Sequence, residues 1–173
     1  MIPKSKRAHG ACSLEEPHPK FFPVIKIFDL DGIAVSEGPG SYTGLRIGMS
    51  LAKGLAIKDK VPIIPVPTLS VIAKGTSRTS EYWVLLHSHK NIVYAQRFNE
   101  DKPVSKIDCR EFDLELYKDP VGFNLNMVCA SDQYESSAPS SKNVGELALE
   151  NAHNWSVINY DKLTPNYITT LKN

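Results

Sequence analysis

The chain has little cysteine and none of it paired by spacing: Cys12, Cys109 and Cys129 are odd in number and far apart. The absence of a C-x-x-C excludes a zinc ribbon or a dithiol redox site and fits reduced, buried thiols in a cytoplasmic protein. An excess of charge is lacking too. Twenty Lys and Arg nearly cancel nineteen Asp and Glu, leaving a net charge of +1 and no broad basic footprint for a nucleic-acid backbone. Every long apolar run is broken by Lys, Pro or Asp before it reaches membrane-spanning length, so no membrane segment is expected. The start, MIPKSKRAHGACS, carries Lys4, Lys6 and Arg7 without the apolar centre of a secretory signal. There is no repeat of fixed period, and the one low-complexity stretch is the serine-rich loop SDQYESSAPSSK, residues 131–142.

What is present is enough for one ordinary core, with 42% hydrophobic residues in a chain of 173. Residues 32–36, bounded by Asp31, form a short apolar run that suits a buried strand, followed by the Gly38-Pro39-Gly40 turn. Ser41 is placed to cap a helix running from Thr43 to about Ile57. A second buried strand spans residues 63–66, and Thr68 is placed to cap a brief helix through Lys74. Strand, helix, strand and helix in succession predict α/β packing. In the second half, residues 82–86 and 92–98 read as a hairpin around the polar His87-to-Asn91 connection. Further strands are expected over 107–114 and 155–160, with another short apolar run at 126–130 and a helix from Asn143 to about Asn151.

The stretch SEGPGSYTGLRIGMSLAKGLA, residues 36–56, raises the main question, because it places five glycines at the mouth and along the body of one helix. Each glycine inside a helix costs about 1 kcal/mol relative to alanine, so packing or chemistry must offset it. A phosphate loop is a poor fit: Lys53 lies too far down the helix for G-x-x-x-x-G-K-[ST], and the dinucleotide fingerprint is also broken. A generic anion site at the helix start remains, which gives one reading as a small nucleotide- or phosphate-binding enzyme using the Gly38-to-Thr43 turn. The other reading is a contact surface. Gly44, Gly48, Ala52 and Ala56 recur every four residues on one face and permit close approach of another helix. Leu45, Ile47, Met49, Leu51 and Leu55 surround that face, and only Arg46 and Lys53 are charged, so the helix must be covered on several sides. His87-x-His89 has a spacing compatible with a metal but no evident third ligand, and Asp29 and Asp31 fit a turn before a strand. No acid, base and nucleophile cluster is apparent, and no cofactor or metal is expected.

The string SEGPGSYTGLRIGMSLAKGLAI followed by PIIPVPTLSVIAKG resembles the signature of the bacterial tRNA threonylcarbamoyladenosine dimerization subunits, the TsaB or YeaZ family. The resemblance runs from about Asp29 to Gly75 and continues more loosely to Pro165-Asn166-Tyr167-Ile168; residues 18–25, HPKFFPVI, resemble the family's preceding segment. It implies an α/β, ribonuclease-H-like sheet flanked by helices, of the actin-like ATPase superfamily. The family's opening Asp-Thr-Ser strand finds only Ala11-Cys12-Ser13 here, and its Asp-Ala-Arg is replaced by His87-Ser88-His89. The N-terminal strands are therefore expected to be reduced or missing, with a divergent segment over 1–28, the rest of the first lobe over 29–80 and a second lobe over 81–173.

The resemblance further implies a noncatalytic scaffold, not an enzyme, in the complex that adds threonylcarbamoyl to N6 of the adenosine beside the tRNA anticodon. Its implied partners are the catalytic threonylcarbamoyltransferase of the TsaD type, the accessory ATPase TsaE and, in isolation, a second copy, with tRNA met only through the complex. The implied interface is Gly44, Leu45, Gly48, Met49, Ala52, Leu55 and Ala56, supported by the turn and cap residues Gly38, Pro39, Gly40, Ser41 and Thr43.

Overall fold

A computed structural model describes residues 26–168. Residues 1–25, and with them the Ala11-Cys12-Ser13 and HPKFFPVI segments, lie outside the described residues, as do 169–173. After a single 3-10 turn at Ile27–Asp29, the apolar run between Asp31 and the Gly38 turn becomes strand β1 (Ile33–Gly38). Helix α1 (Tyr42–Ala56) follows, with the Ser41 hydroxyl accepting the Gly44 backbone N–H at 3.3 Å, as expected of an N-cap. The chain turns through Lys60 in the left-handed region, at φ 54°, and returns as β2 (Ile63–Pro67), parallel to β1 with Ile33 opposite Ile63 and Ser36 opposite Val66. A helix between two parallel strands is the crossover unit that such pairing requires.

Helix α2 (Thr68–Ala73) begins one residue earlier than a Thr68 cap would place it. Pro67 is the capping residue and contributes no side-chain bond; the Thr68 hydroxyl instead bonds Ser36 Oγ at 2.7 Å, tying α2 to β1. The hairpin expected in the second half is β3 (Glu81–His89) against β4 (Ile92–Asn99), antiparallel along almost its whole length. The far edge of β4 is covered by β5 (Lys102–Pro103) and β6 (Asp108–Glu111), the latter the central part of the strand expected over 107–114. The opposite edge of β3 pairs in parallel with β7 (Val121–Phe123), which pairs with β8 (Glu135–Ser136). The apolar run at 126–130 forms no strand; a 3-10 turn at Leu125–Met127 carries its start, and Leu125 is buried. Helix α3 (Ser141–Trp155) is longer than expected, starting at the Ser140 cap, whose hydroxyl accepts the Asn143 N–H.

Alternation along the strands decides what each face covers. Tyr82, Val84 and Leu86 of β3 pack against Leu69, Ile72 and Ala73 of α2, whereas Leu85 joins Val93, Ala95, Tyr117 and Leu125 on the other side. Ile64 and Val66 of β2 meet Leu147 and Ala148 of α3, while Ile63 points toward Met49, Ala52 and Ala56 of α1. The strand expected over 155–160 reduces to one bridge, Val157 with Ile63, because the chain then winds into a 3-10 turn at Tyr160–Lys162. That tail laces the first sheet from end to end. Tyr160 donates its hydroxyl to the Val61 carbonyl (2.7 Å), Leu163 is buried beneath α1, and Asn166 donates its N–H to the Glu37 carbonyl (2.7 Å).

Candidate partner interface

The turn that launches α1 is built tightly. Gly38 has φ +112°, where an L side chain is strained, and an added Cβ would sit 2.9 Å from the Asn166 carbonyl oxygen. Gly38 and Pro39 are buried, Gly40 is half-buried, and Ser41 and Thr43 are exposed, with Ser41 acting as the cap. Burial holds the Glu37 carboxyl above its ordinary pKa.

Along α1 the expected contact surface divides in two. Leu45, Met49, Ala52 and Ala56 lie within an arc of about 60° at 3.6 residues per turn and are buried against the chain's own sheet and tail. These four residues serve the internal core. Gly44 and Leu55 are exposed and Gly48 is half-buried, and they share the outward side with residues that the four-residue stripe left out. Ile47 is 64% exposed, Leu51 61% and Leu55 38%. Periodicity at i, i+4, i+7 and i+11 through Leu45, Met49, Ala52 and Ala56 is the sequence signal for the inward face.

The helical glycines can be tested one by one. A Cβ added at Gly54 would meet nothing within 4 Å; one at Gly44 would meet only Ser41, at 3.4 Å; and one at Gly48 would reach Val35 Cγ2 at an ordinary 3.7 Å. None of the three is demanded by packing inside the described chain. By contrast, a Cβ at Gly122 would clash with Leu125 at 2.4 Å and with the Leu85 carbonyl at 2.7 Å.

The flank of α1 that carries Lys53 also holds an aromatic and guanidinium stack. Arg46 Nε donates to the Tyr167 hydroxyl at 3.0 Å, its guanidinium lies 4.1 Å from the centre of the Tyr42 ring, and the two tyrosine rings are 5.0 Å apart. The accepting Tyr167 hydroxyl is the main cause holding Arg46 above its ordinary pKa. Tyr42 and Tyr167 gave no interface signal in the sequence, because one sits at the first helical position and the other lies over a hundred residues away.

The start of α1 also faces a cleft of about 840 Å³, walled by Ala34, Val35 and Ser36 of β1, the ends of β3 and β7, and the start of α3. His87 and Ser88 line it; His87 Nε2 bonds the Lys90 carbonyl at 2.9 Å and His89 Nδ1 bonds Ser88 Oγ at 3.1 Å. Among the described residues no group of three His, Cys, Asp or Glu comes together to hold a metal. No Lys, Arg, Asp or Glu is among the described residues that line the cleft, so His87 is its one ionisable cation and it offers no carboxylate for magnesium.

Residues 24–106 match the family described as TsaD: tRNA N6-adenosine threonylcarbamoyltransferase. The chain is 36% identical over 77 residues to the tRNA threonylcarbamoyladenosine biosynthesis protein TsaB of Buchnera aphidicola subsp. Acyrthosiphon pisum, covering 43% of this chain and 35% of that protein. It is 46% identical over 50 residues to the protein of the same name from Escherichia coli K12, covering 29% and 22%. The matched stretches thus span about a third or less of these relatives' lengths. YeaZ from Pseudomonas aeruginosa superposes with a TM-score of 0.64 at 18% identity, over 83% of this chain and 76% of that one, which shows an actin-like, ribonuclease-H-like fold. The chain is thus similar in sequence to TsaB proteins over part of its length and similar in fold to YeaZ.

Proposed function

We propose that the chain is a noncatalytic scaffold subunit in the formation of threonylcarbamoyladenosine on tRNA, and that it meets the catalytic threonylcarbamoyltransferase through the outward face of α1. The observation that carries this reading is the set of helical glycines, Gly44, Gly48 and Gly54, none of which is required by packing within the described chain: an added Cβ meets nothing within 4 Å at Gly54 and makes only ordinary contacts at Gly44 and Gly48, on a helix that also exposes Ile47, Leu51 and Leu55. A chain that gives up about 1 kcal/mol of helix stability at each such position without an internal contact to justify it gains if another helix must approach closely there. The TsaB relatives supply the pathway, and the family match over residues 24–106 supplies the kinship with the transferase. The same face serves self-pairing in isolation, the accessory ATPase joins through the assembled complex, and tRNA is met only through it. In this reading residues 29–80 form the first lobe and 81–173 the second, with the tail from Val157 to Tyr167 crossing back onto the first.

A cytoplasmic location follows from the tRNA substrate, and no helix among the described residues is long and apolar enough to cross a membrane. The lack of Lys, Arg, Asp and Glu among the described residues lining the cleft favours a scaffold over a nucleotide enzyme built on the Gly38-to-Thr43 turn. The test is reconstitution. Threonylcarbamoyladenosine on tRNA is measured by mass spectrometry with the transferase alone, this chain alone and both together, each supplied with the activated threonylcarbamoyl donor. Product only with both supports the scaffold reading, and product from this chain alone overturns it. Calorimetry with ATP and magnesium is expected to show no binding to the isolated chain.

A further inference from the structure

The described residues include four arginines, and three of them bridge carboxylates: Arg78 with Asp119 and Glu135, Arg97 with Glu81, and Arg110 with Asp108. Arg46 has no carboxylate among the described residues. Its Nε donates to the Tyr167 hydroxyl and its Cζ lies 4.1 Å from the centre of the Tyr42 ring, and its two terminal nitrogens, with four N–H groups, make no hydrogen bond among the described residues. Tyr167 is itself fixed, since the neighbouring Asn166 is bonded to Glu37 and Leu163 is buried under α1. The side chain is therefore oriented before any partner arrives, which lowers the entropy lost on binding. Tyrosine and arginine side chains presented in this way are enriched among the residues that dominate protein interfaces.

We propose that Arg46, on the Lys53 flank of α1 and about 140° around the helix from Leu51, is a polar contact at the rim of the partner surface, taking a carboxylate side chain of the partner protein in a two-pronged pair, with Tyr42 and Tyr167 as positioning residues. The inference rests on the partner-surface reading above. A planar guanidinium with two free prongs matches a carboxylate in shape and charge. The nearest other cation on the helix, Lys53, is two turns away, so a lone guanidinium suits a singly charged carboxylate better than a phosphate dianion. Exposed Ile47 and Leu51 on the same helix suit a protein surface better than a nucleic-acid backbone. The partner that fits carries an apolar helix stripe with an acid at its edge, opposite a helix whose only charges between Thr43 and Ile57 are the basic Arg46 and Lys53.

The experiment measures the affinity of the chain for the threonylcarbamoyltransferase from the same cell across a salt series, for wild type, Arg46→Gln, Arg46→Lys, Tyr167→Phe and Leu51→Glu. Arg46→Gln is expected to weaken pairing about ten-fold and to flatten its salt dependence. Arg46→Lys falls between Gln and wild type, because the charge stays while the fork is lost. Tyr167→Phe, which keeps the ring and removes the acceptor, weakens pairing about three-fold without altering the salt slope. Melting midpoints should be unchanged in all three, since these side chains are exposed. If Leu51→Glu abolishes pairing while Arg46→Gln pairs with wild-type strength and salt response, the partner-surface reading stands and the Arg46 contact is overturned. A lowered melting midpoint with an unchanged salt slope assigns Arg46 a purely structural role, and weaker tRNA binding by the complex without weaker pairing assigns it to phosphate; both outcomes overturn the proposal. No pairing by the wild-type chain would remove the Arg46 contact together with the reading on which it rests.

Discussion

Gly48 faces Val35 with room for a methyl group between them: a Cβ built on the glycine stops 3.7 Å from Val35 Cγ2. The fold therefore tolerates alanine there, and Gly54 tolerates it with nothing within 4 Å. Gly48→Ala and Gly54→Ala are each expected to raise the stability of the isolated chain by about 0.5–1 kcal/mol, through helix propensity and a less flexible unfolded state. If a partner helix packs on that face, the same substitutions weaken pairing. Denaturant midpoints and pairing constants on the same samples check the trade. Stabilisation with undiminished pairing would mean that the glycines serve neither surface.

Ala52 and Leu51 are neighbours in sequence and opposite in role. Ala52 is 4% exposed beneath α1 and Leu51 is 61% exposed above it. Ala52→Glu puts an unpaired carboxylate into the cluster of Met49, Ile63 and Leu163, and should cost several kcal/mol and the folded state with it. Leu51→Glu should leave the circular dichroism spectrum and the melt nearly unchanged.

How far the sequence reaches is visible in this pair of residues. The α1 helix, its Ser41 cap, the β1 and β2 strands and the β3–β4 hairpin could all be read, since local patterning and capping chemistry determine them. Which flank of α1 meets the sheet could not be read from a small-residue stripe alone, because small side chains are compatible with either side. The apolar spacing through Leu45, Met49, Ala52 and Ala56, close to 3.6 residues, carries that information. Thr68 illustrates a different limit: its hydroxyl had two uses, a local cap or the Ser36 bond, and only tertiary contact decided between them. The Arg46 stack depends on Tyr167, which is 121 residues away along the chain.

Glu135 and Glu37 give opposite pH signatures. The Thr76 hydroxyl, followed by Arg78, lowers the Glu135 pKa in the folded state, so its contribution is present above the ordinary carboxylate range and is lost as the pH falls through the folded value. Glu135→Gln should therefore flatten the acid limb of the urea midpoint measured against pH. Burial raises the Glu37 pKa, so its ionisation opposes folding as the pH rises through the ordinary range. Glu37→Gln should gain on wild type near neutrality and lose that gain in acid. Curves that shift in parallel at all pH values would contradict both assignments.

Tyr117 is fully buried, and its hydroxyl is without a hydrogen-bond partner among the described residues. The ring is well used, edge-on to Trp83 at 5.1 Å and within 6.0 Å of Phe112. Removing only the hydroxyl relieves an unmet polar group and should stabilise the chain by about 1 kcal/mol in Tyr117→Phe, read by chemical denaturation. A loss of similar size would reveal a partner for that oxygen.

Sedimentation of the chain mixed with the threonylcarbamoyltransferase from the same cell, wild type beside Leu51→Glu, tests the central claim most directly. The account predicts a one-to-one complex with the wild-type chain and two separate, folded species with Leu51→Glu. A complex of equal stability in both mixtures, or none in either, would contradict the assignment of the outward α1 face as the partner surface.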